Sequence, residues 1–142
     1  MDPDRTIKGL GEASIRVKDL PAMMKFYEEI VGLEVLRQEE DYVFFRIAAG
    51  YAGHTQNLAL FDAAERSFLD DKSIELSPAQ STLHHIAFNI ALEDFGSEKE
   101  RLEGLGLEVH EAEHAWIHVR SLYFADPEGN TLEFVAHDDG VG

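Results

Sequence analysis

Apolar and polar residues alternate along 10–17 (L-G-E-A-S-I-R-V), with Ala13, Ile15 and Val17 on one face and Glu12, Ser14 and Arg16 on the other. A period of two predicts a half-buried strand. The period then changes. Met23, Met24, Phe26, Tyr27, Ile30 and Val31 form a helical apolar face. Asp19 and Pro21 supply a start signal, an N-cap acceptor beside a first-turn proline, and Gly32 supplies the stop. Strands are predicted at about 33–39, 42–48 and 56–61, with a loop at 50–53.

The same order is written a second time. Residues 12–35 (E-A-S-I-R-V … G-L-E-V) and 85–109 (H-I-A-F-N-I … G-L-E-V) both run strand, helix, then G-L-E-V. The offset is 73 at Glu12/His85 and 74 at Gly32/Gly106, and carrying 74 forward pairs N-L-A-L-F (57–61) with T-L-E-F-V (131–135). The second copy predicts strands at about 83–90, 107–113, 116–125 and 130–136 and a helix at about 93–104. D-P-E-G-N (126–130) is a hairpin turn: Pro127 presets φ, and Gly129 and Asn130 tolerate positive φ. A polar linker at about 63–81, with a short helix near 62–69, joins the halves, and 137–142 reads as a frayed tail.

Each half is thus β-α-β-β-β. The fold class expected is α+β: one domain over 1–142, made of paired βαβββ modules (about 9–62 and 82–137) that form a curved mixed sheet around a cavity, with helices outside. The strand faces opposite the helices then line the cavity. They carry Glu12, Ser14, Arg16, Asn57, Ala59 and Phe61 in the first half, and His85, Ala87, Asn89, Val119, Ser121, Tyr123, Thr131, Glu133 and Val135 in the second. Equivalent positions are Glu12 with His85 and Ala59 with Glu133, and three of these four are metal-ligand residue types. Phe44, Phe45 and Trp116 are expected in the core or cavity wall.

Composition narrows the function classes. At 142 residues, 44% hydrophobic and 10% aromatic, the chain is long and apolar enough for a packed core. It contains no cysteine, so neither a disulfide framework nor a thiolate site is available. The 28 acidic residues against 12 Lys and Arg give a net charge of −16, which repels phosphate backbones, so no nucleic-acid partner is expected. The ordinary role of such charge is solvation. No apolar run reaches the length of a membrane span, and M-D-P-D-R-T has acids where a signal peptide has bases. A cytoplasmic location with no membrane partner is the expectation.

Three motifs, V-K-D-L-P-A-M-M-K-F-Y-E-E-I-V-G-L-E-V, H-H-I-A-F-N-I and S-L-Y-F-A-D-P-E-G-N-T-L-E-F, resemble the vicinal-oxygen-chelate superfamily of glyoxalase I, extradiol dioxygenases, fosfomycin-resistance and bleomycin-resistance proteins. The resemblance spans residues 9–137. It implies metal ligands on the first and last strand of each half, here Glu12, Ala59, His85 and Glu133. Alanine cannot ligate, so the four-ligand glyoxalase set is incomplete. Extradiol dioxygenases use three ligands, which maps onto Glu12, His85 and Glu133. The carboxylate at position 12 replaces a histidine and hardens the site toward Mn(II), Mg(II) or Fe(III). The resemblance also implies catalytic roles for Tyr123 and His114, ten and nineteen positions before Glu133. A further acid–base histidine expected in the linker is replaced by Asp70, Asp71 and Lys72.

Each residue has a plainer reading. A single strand histidine is commonly structural, but His85 has Glu133 at a matching position. Glu133 could be a hydrogen-bonded carboxylate in a wet cavity. Glu12 could pair with Arg16. His84, adjacent to His85 on a strand, is expected to point the other way, so that the two form no chelate. His54, His110 and His137 are expected to be exposed, and His118 is left unassigned.

The function expected is a metal-dependent enzyme of glyoxalase or extradiol-dioxygenase type. It would use Fe, Mn, Ni or Zn and act on a small molecule with vicinal oxygens, as a homodimer. A glyoxalase-type lyase or isomerase and a non-catalytic antibiotic-binding protein of bleomycin-resistance type are the alternatives. Ala59 is expected to leave room for water or substrate, and Ala59→Glu to tighten metal binding.

Overall fold

A computed structural model of the chain describes residues 6–64 and 83–142, which fall into two compact units. The expected linker helix beyond residue 64 and the Asp70, Asp71 and Lys72 stretch lie outside the described residues. No described helix is long and apolar enough to cross a membrane.

The first unit runs β1 (Glu12–Val17), α1 (Leu20–Lys25), a π-helical continuation (Phe26–Val31), β2 (Glu34–Gln38), β3 (Tyr42–Ala48) and β4 (Gln56–Asp62). The sheet order is β1-β4-β3-β2, with β1 parallel to β4 and the other pairs antiparallel. A parallel neighbour needs a crossover, and α1 supplies it. The predicted start signal operates: the Asp19 carboxylate accepts from Ala22 N at 3.1 Å, with Pro21 in the first turn. The π turns were not foreseen. Gly32 N donates to Tyr27 O, a five-residue reach that widens the helix before Gly32 ends it at φ +90°.

Residues facing the helix form the core: Val17, Leu20, Met23, Phe26, Tyr27, Val43, Phe45, Leu58 and Leu60 are all buried. Tyr27 ties helix to sheet, its ring centroid 5.7 Å from Phe26 and 6.2 Å from Phe45. The opposite face carries Tyr42, Phe44 and Phe61 in mutual contact at 5.5–5.9 Å. Register places Ala59 between Ser14 and Phe44. Ala59 is fully buried, so the space for water expected at this position is closed; Phe44, directly across the ladder, stands beside it.

The second unit repeats the order: β5 (Ile86–Asn89), a 3-10 turn (Leu92–Asp94), α2 (Phe95–Gly104), β6 (His110–His114), a second 3-10 turn (Ala115–Ile117), β7 (Val119–Ala125) and β8 (Thr131–His137). Its sheet order, β5-β8-β7-β6, with β5 parallel to β8, reproduces that of the first unit. Two βαβββ units, each with a four-stranded mixed sheet, bear out the α+β class. Phe88, Phe95, Leu102, Leu122, Phe124, Leu132 and Phe134 fill the second core. At the β7–β8 turn the Asp126 carboxylate accepts from Glu128 N, Asn130 N and Asn130 Nδ2 at 2.8–3.0 Å, and Gly129 takes the left-handed conformation at φ +87°.

Three expectations fail here. The strand predicted from residue 116 is interrupted by the 3-10 turn at 115–117 and by His118 at φ +55°, and it resumes at Val119. Trp116, expected in the core or cavity wall, lies on that turn and is 81% exposed, so it is not core. The tail is also not frayed: Val141 is 3% exposed, and its carbonyl accepts from His118 Nδ1 at 2.6 Å. Arg120 Nε donates to Asp138 Oδ2 at 2.6 Å, and Asp138 N donates to His118 O at 2.8 Å. The pattern of residues 137–142 gave no apolar period. Val141 alone seats the tail, and the rest is held by polar contacts that periodicity does not register.

Candidate functional site

The second unit gathers a set of titratable side chains on the sheet face opposite α2. β7 and β8 place Tyr123 directly across from Glu133, and the parallel β5–β8 register places Ala87 across from Glu133 on the other side. His85 sits two residues before Ala87, at the mouth of β5. From there its Nε2 lies 3.0 Å from Glu133 Oε1. Ser121, two residues from Tyr123 and so on the same face, donates from Oγ to Glu133 Oε2 at 2.5 Å. His114, from β6, places Nε2 2.8 Å from Tyr123 Oη.

Burial differs sharply along this row. Ser121 is fully buried and Glu133 only 6% exposed, whereas the His85 side chain is 35% exposed. A buried carboxylate is costly unless it is paired and hydrogen-bonded. Both Glu133 oxygens have partners, and no described buried side-chain polar atom lacks one. Burial pushes the Tyr123 hydroxyl pKa up, with the Glu133 charge adding to the rise and a hydrogen bond with Ser121 opposing it. Tyr123 therefore keeps its proton at neutral pH.

His84 departs from expectation. Strand pairing begins only at Ile86, so residues 84 and 85 are not held in an alternating pleat. The two rings meet, Nδ1 to Nδ1 at 2.8 Å, with centroids 5.0 Å apart. One of these nitrogens must carry the proton and the other must accept it.

In the first unit, Glu12 is at the start of β1 and accepts from Ser14 Oγ at 2.9 Å. Asn57, its register partner, is buried and takes a 2.5 Å hydrogen bond from Thr55 Oγ1. Thus the second unit brings His85 together with Glu133, and His114 with Tyr123, while Glu12 belongs to the first unit. Among the described residues no group of three or more His, Cys, Asp or Glu side chains is gathered to hold a metal ion. The pair His85 and Glu133 fits half of a hard-to-borderline divalent site, one imidazole nitrogen and one carboxylate oxygen turned toward each other. His54, His110 and His137 are exposed, as expected.

The roles of Ser121 and His84 were not read from the sequence. For Ser121 a signal existed: strand alternation puts it on the face of Tyr123 and Glu133, diagonal to the carboxylate. For His84 none did, because its contact depends on where β5 starts.

The sequence profile of the Glyoxalase/Bleomycin resistance protein/Dioxygenase superfamily matches residues 9–134. Metallothiol transferase FosB of Bacillus licheniformis is 26% identical over 133 residues, covering 89% of this chain and 74% of that protein. Fosfomycin resistance protein FosX of Listeria innocua is 28% identical over 131 residues, covering 92% and 90%. The crystal structure of lactoylglutathione lyase from Agrobacterium tumefaciens superposes with a TM-score of 0.67 at 26% identity, covering 93% of this chain and 96% of that one. With the profile spanning both βαβββ units and their repeated sheet order, the chain belongs to the Glyoxalase/Bleomycin resistance protein/Dioxygenase superfamily.

Proposed function

We propose that this chain is a divalent-metal-dependent enzyme acting on a small molecule with vicinal oxygens, its two units being halves of one superfamily domain. The observation that carries the reading is the 3.0 Å approach of His85 Nε2 to Glu133 Oε1 on a face lined by Tyr123 and His114. His85 and Glu133 would hold the ion. A divalent ion there supplies Lewis acidity that polarises bound oxygens and lowers the pKa of a hydroxyl. Mn, Fe, Ni and Zn all suit an N/O donor set.

The remaining steps belong to side chains. Tyr123 Oη holds a proton and donates it toward a substrate oxygen. His114 Nε2, 2.8 Å away, orients that hydroxyl and takes up or returns the proton. Two of the similar proteins are, by name, a metallothiol transferase and a lactoylglutathione lyase. They favour addition and proton transfer over ring-cleaving oxygenation, the reading that the spacing of Tyr123 and His114 carries. A homodimer is proposed on the grounds that a second copy would cap edge strands and cavity rims.

The binding-protein reading has its own support, the net charge of −16 and a second unit that brings only two ligand side chains together. Metal titration of the purified protein separates the two. Stoichiometric binding of Mn, Fe, Ni or Zn that is lost in His85→Ala supports the enzyme reading. No binding to the wild-type protein overturns it in favour of the binding protein, and binding undiminished in His85→Ala displaces the site.

A further inference from the structure

The first unit holds a cavity of about 590 Å³, walled by the segment before β1 and by the connection from β3 to β4. That volume lies within the range of small-molecule sites. The β3–β4 connection is tightly folded. A Cβ on Gly50 would collide with the His54 carbonyl oxygen, so only glycine fits there. Ala52 takes the left-handed conformation at φ +54°, and Gly53 follows at φ +86°. His54 N donates to Tyr51 O at 3.1 Å, and Gln56 Nε2 donates to Ala49 O at 3.2 Å, which closes the loop. A non-glycine residue at such a φ is costly and persists where its surroundings fix it.

The cavity is lined unlike the rest of the chain. There are 28 acidic residues and a net charge of −16, yet neither 6–11 nor 49–56 contains an Asp or Glu. No described acidic residue lines the cavity. Charges more than about 8 Å away are largely screened at physiological ionic strength, so the local lining decides which ions enter. That lining offers donors. The Lys8 ammonium can only donate, and the His54 imidazole carries an N–H in either neutral tautomer. Beside them stand two large apolar side chains, Leu10 and Tyr51, 62% and 64% exposed.

We propose that this cavity binds a small organic anion, a carboxylate or phosphate group carried on an aromatic or apolar body. Lys8 and His54 hold the charged end, and Tyr51 and Leu10 cover the body. These residues all belong to the first unit, and the site needs no ion at His85 and Glu133.

The test titrates the full chain, isotope-labelled, with benzoate, with phenyl phosphate and with benzylamine, a cation of similar size. The amide signals of Gly11, Gly50 and Gly53 are followed by NMR. At least one of the two anions is expected to move these signals saturably, and benzylamine to leave them in place. Lys8→Gln should weaken the anion about 10-fold, the order of one charged hydrogen bond, and Tyr51→Ala should weaken it measurably. If either variant unfolds, the comparison of anion with amine on the wild type decides alone. Absence of a saturable response to both anions overturns the site. So does benzylamine binding as tightly as the anions, or an anion affinity unchanged in a folded Lys8→Gln or Tyr51→Ala. Glycine signals that move with protein concentration and ignore all three probes would make this face a contact between copies of the chain, and would overturn the anion site.

Discussion

Tyr123 Oη and His114 Nε2 lie 2.8 Å apart on neighbouring strands, four residues out of register. The contact joins a hydroxyl whose pKa burial raises to a base that can receive its proton. Tyr123→Phe removes the proton and keeps the ring. Turnover is expected to fall about 100-fold or more, in the range of a lost general acid, with metal affinity within about 2-fold of wild type. Unchanged turnover would remove Tyr123 from the chemistry. The raised pKa also has a stability consequence. Its folded-state value lies above the unfolded one, so the native state holds the proton longer. The contribution is full below the ordinary phenol range near 10 and is lost as pH rises through the raised folded value. Alkaline unfolding of Tyr123→Phe should accordingly begin at higher pH than that of the wild type.

Asp138 sits on the clasp that holds the end of the chain, and its carboxyl is held below the ordinary range by the hydrogen bond from Arg120, then by that from Gly140 N. A depressed folded pKa means stability present above the unfolded value and lost as pH falls through the folded one. Asp138→Asn should lower Tm at pH 7 and flatten the acid limb of the Tm–pH curve below about pH 4. The same Tm for both proteins at pH 7 and at pH 3 would show that the clasp adds nothing.

The repeat was legible because it is written in both period and punctuation. The N-cap Asp19, the stop Gly32 and the G-L-E-V that follows each helix fixed the βαβββ order in both halves. The parallel placement of β1 on β4 and of β5 on β8 came only with the fold. Less was legible where single contacts decide. Trp116 was expected in the core or cavity wall, yet it rides on a 3-10 turn that no period announces. His84 and His85 looked opposed because alternation was extended two residues past the true start of β5. The π turns after Lys25 arise inside an unbroken helical pattern, and the sequence does not distinguish a five-residue reach from a four-residue one. In the site, His85 and Glu133 were found from the offset of the repeat, whereas Ser121 needed the register.

Ala59 offers a direct comparison of the two readings of its position. From the sequence, Ala59→Glu restores a fourth ligand. In the fold, Ala59 is fully buried beside Phe44 and Ser14, so a glutamate there forces a carboxylate into an enclosed place. Burying an unpaired charge costs on the order of several kcal/mol. Thermal unfolding of Ala59→Glu is expected to shift well below wild type, with no gain in zinc affinity. A variant as stable as wild type that binds zinc more tightly would show that the position opens onto the metal.

α2 has little holding it except two side chains. Of its ten residues only Phe95 and Leu102 are buried, and the rest of the surface is polar, with Arg101 paired to Glu98 at 2.7 Å and Lys99 to Glu111 at 3.0 Å. Exposed pairs of this kind contribute about 0–1 kcal/mol each. Leu102 is fully enclosed, and its carbonyl also receives Leu107 N at 3.2 Å where the helix ends. Leu102→Ala removes apolar contact and leaves a cavity at the centre of the unit, a loss of about 2–5 kcal/mol. Leu105, three residues on, is 53% exposed, and Leu105→Ala should stay within about 0.5 kcal/mol. Urea unfolding of the two variants side by side measures the difference, provided both keep the wild-type m-value. If Leu102→Ala and Leu105→Ala lose equal stability, the helix is not anchored by Leu102, and the polar pairs along its surface carry more of its attachment than their exposure allows.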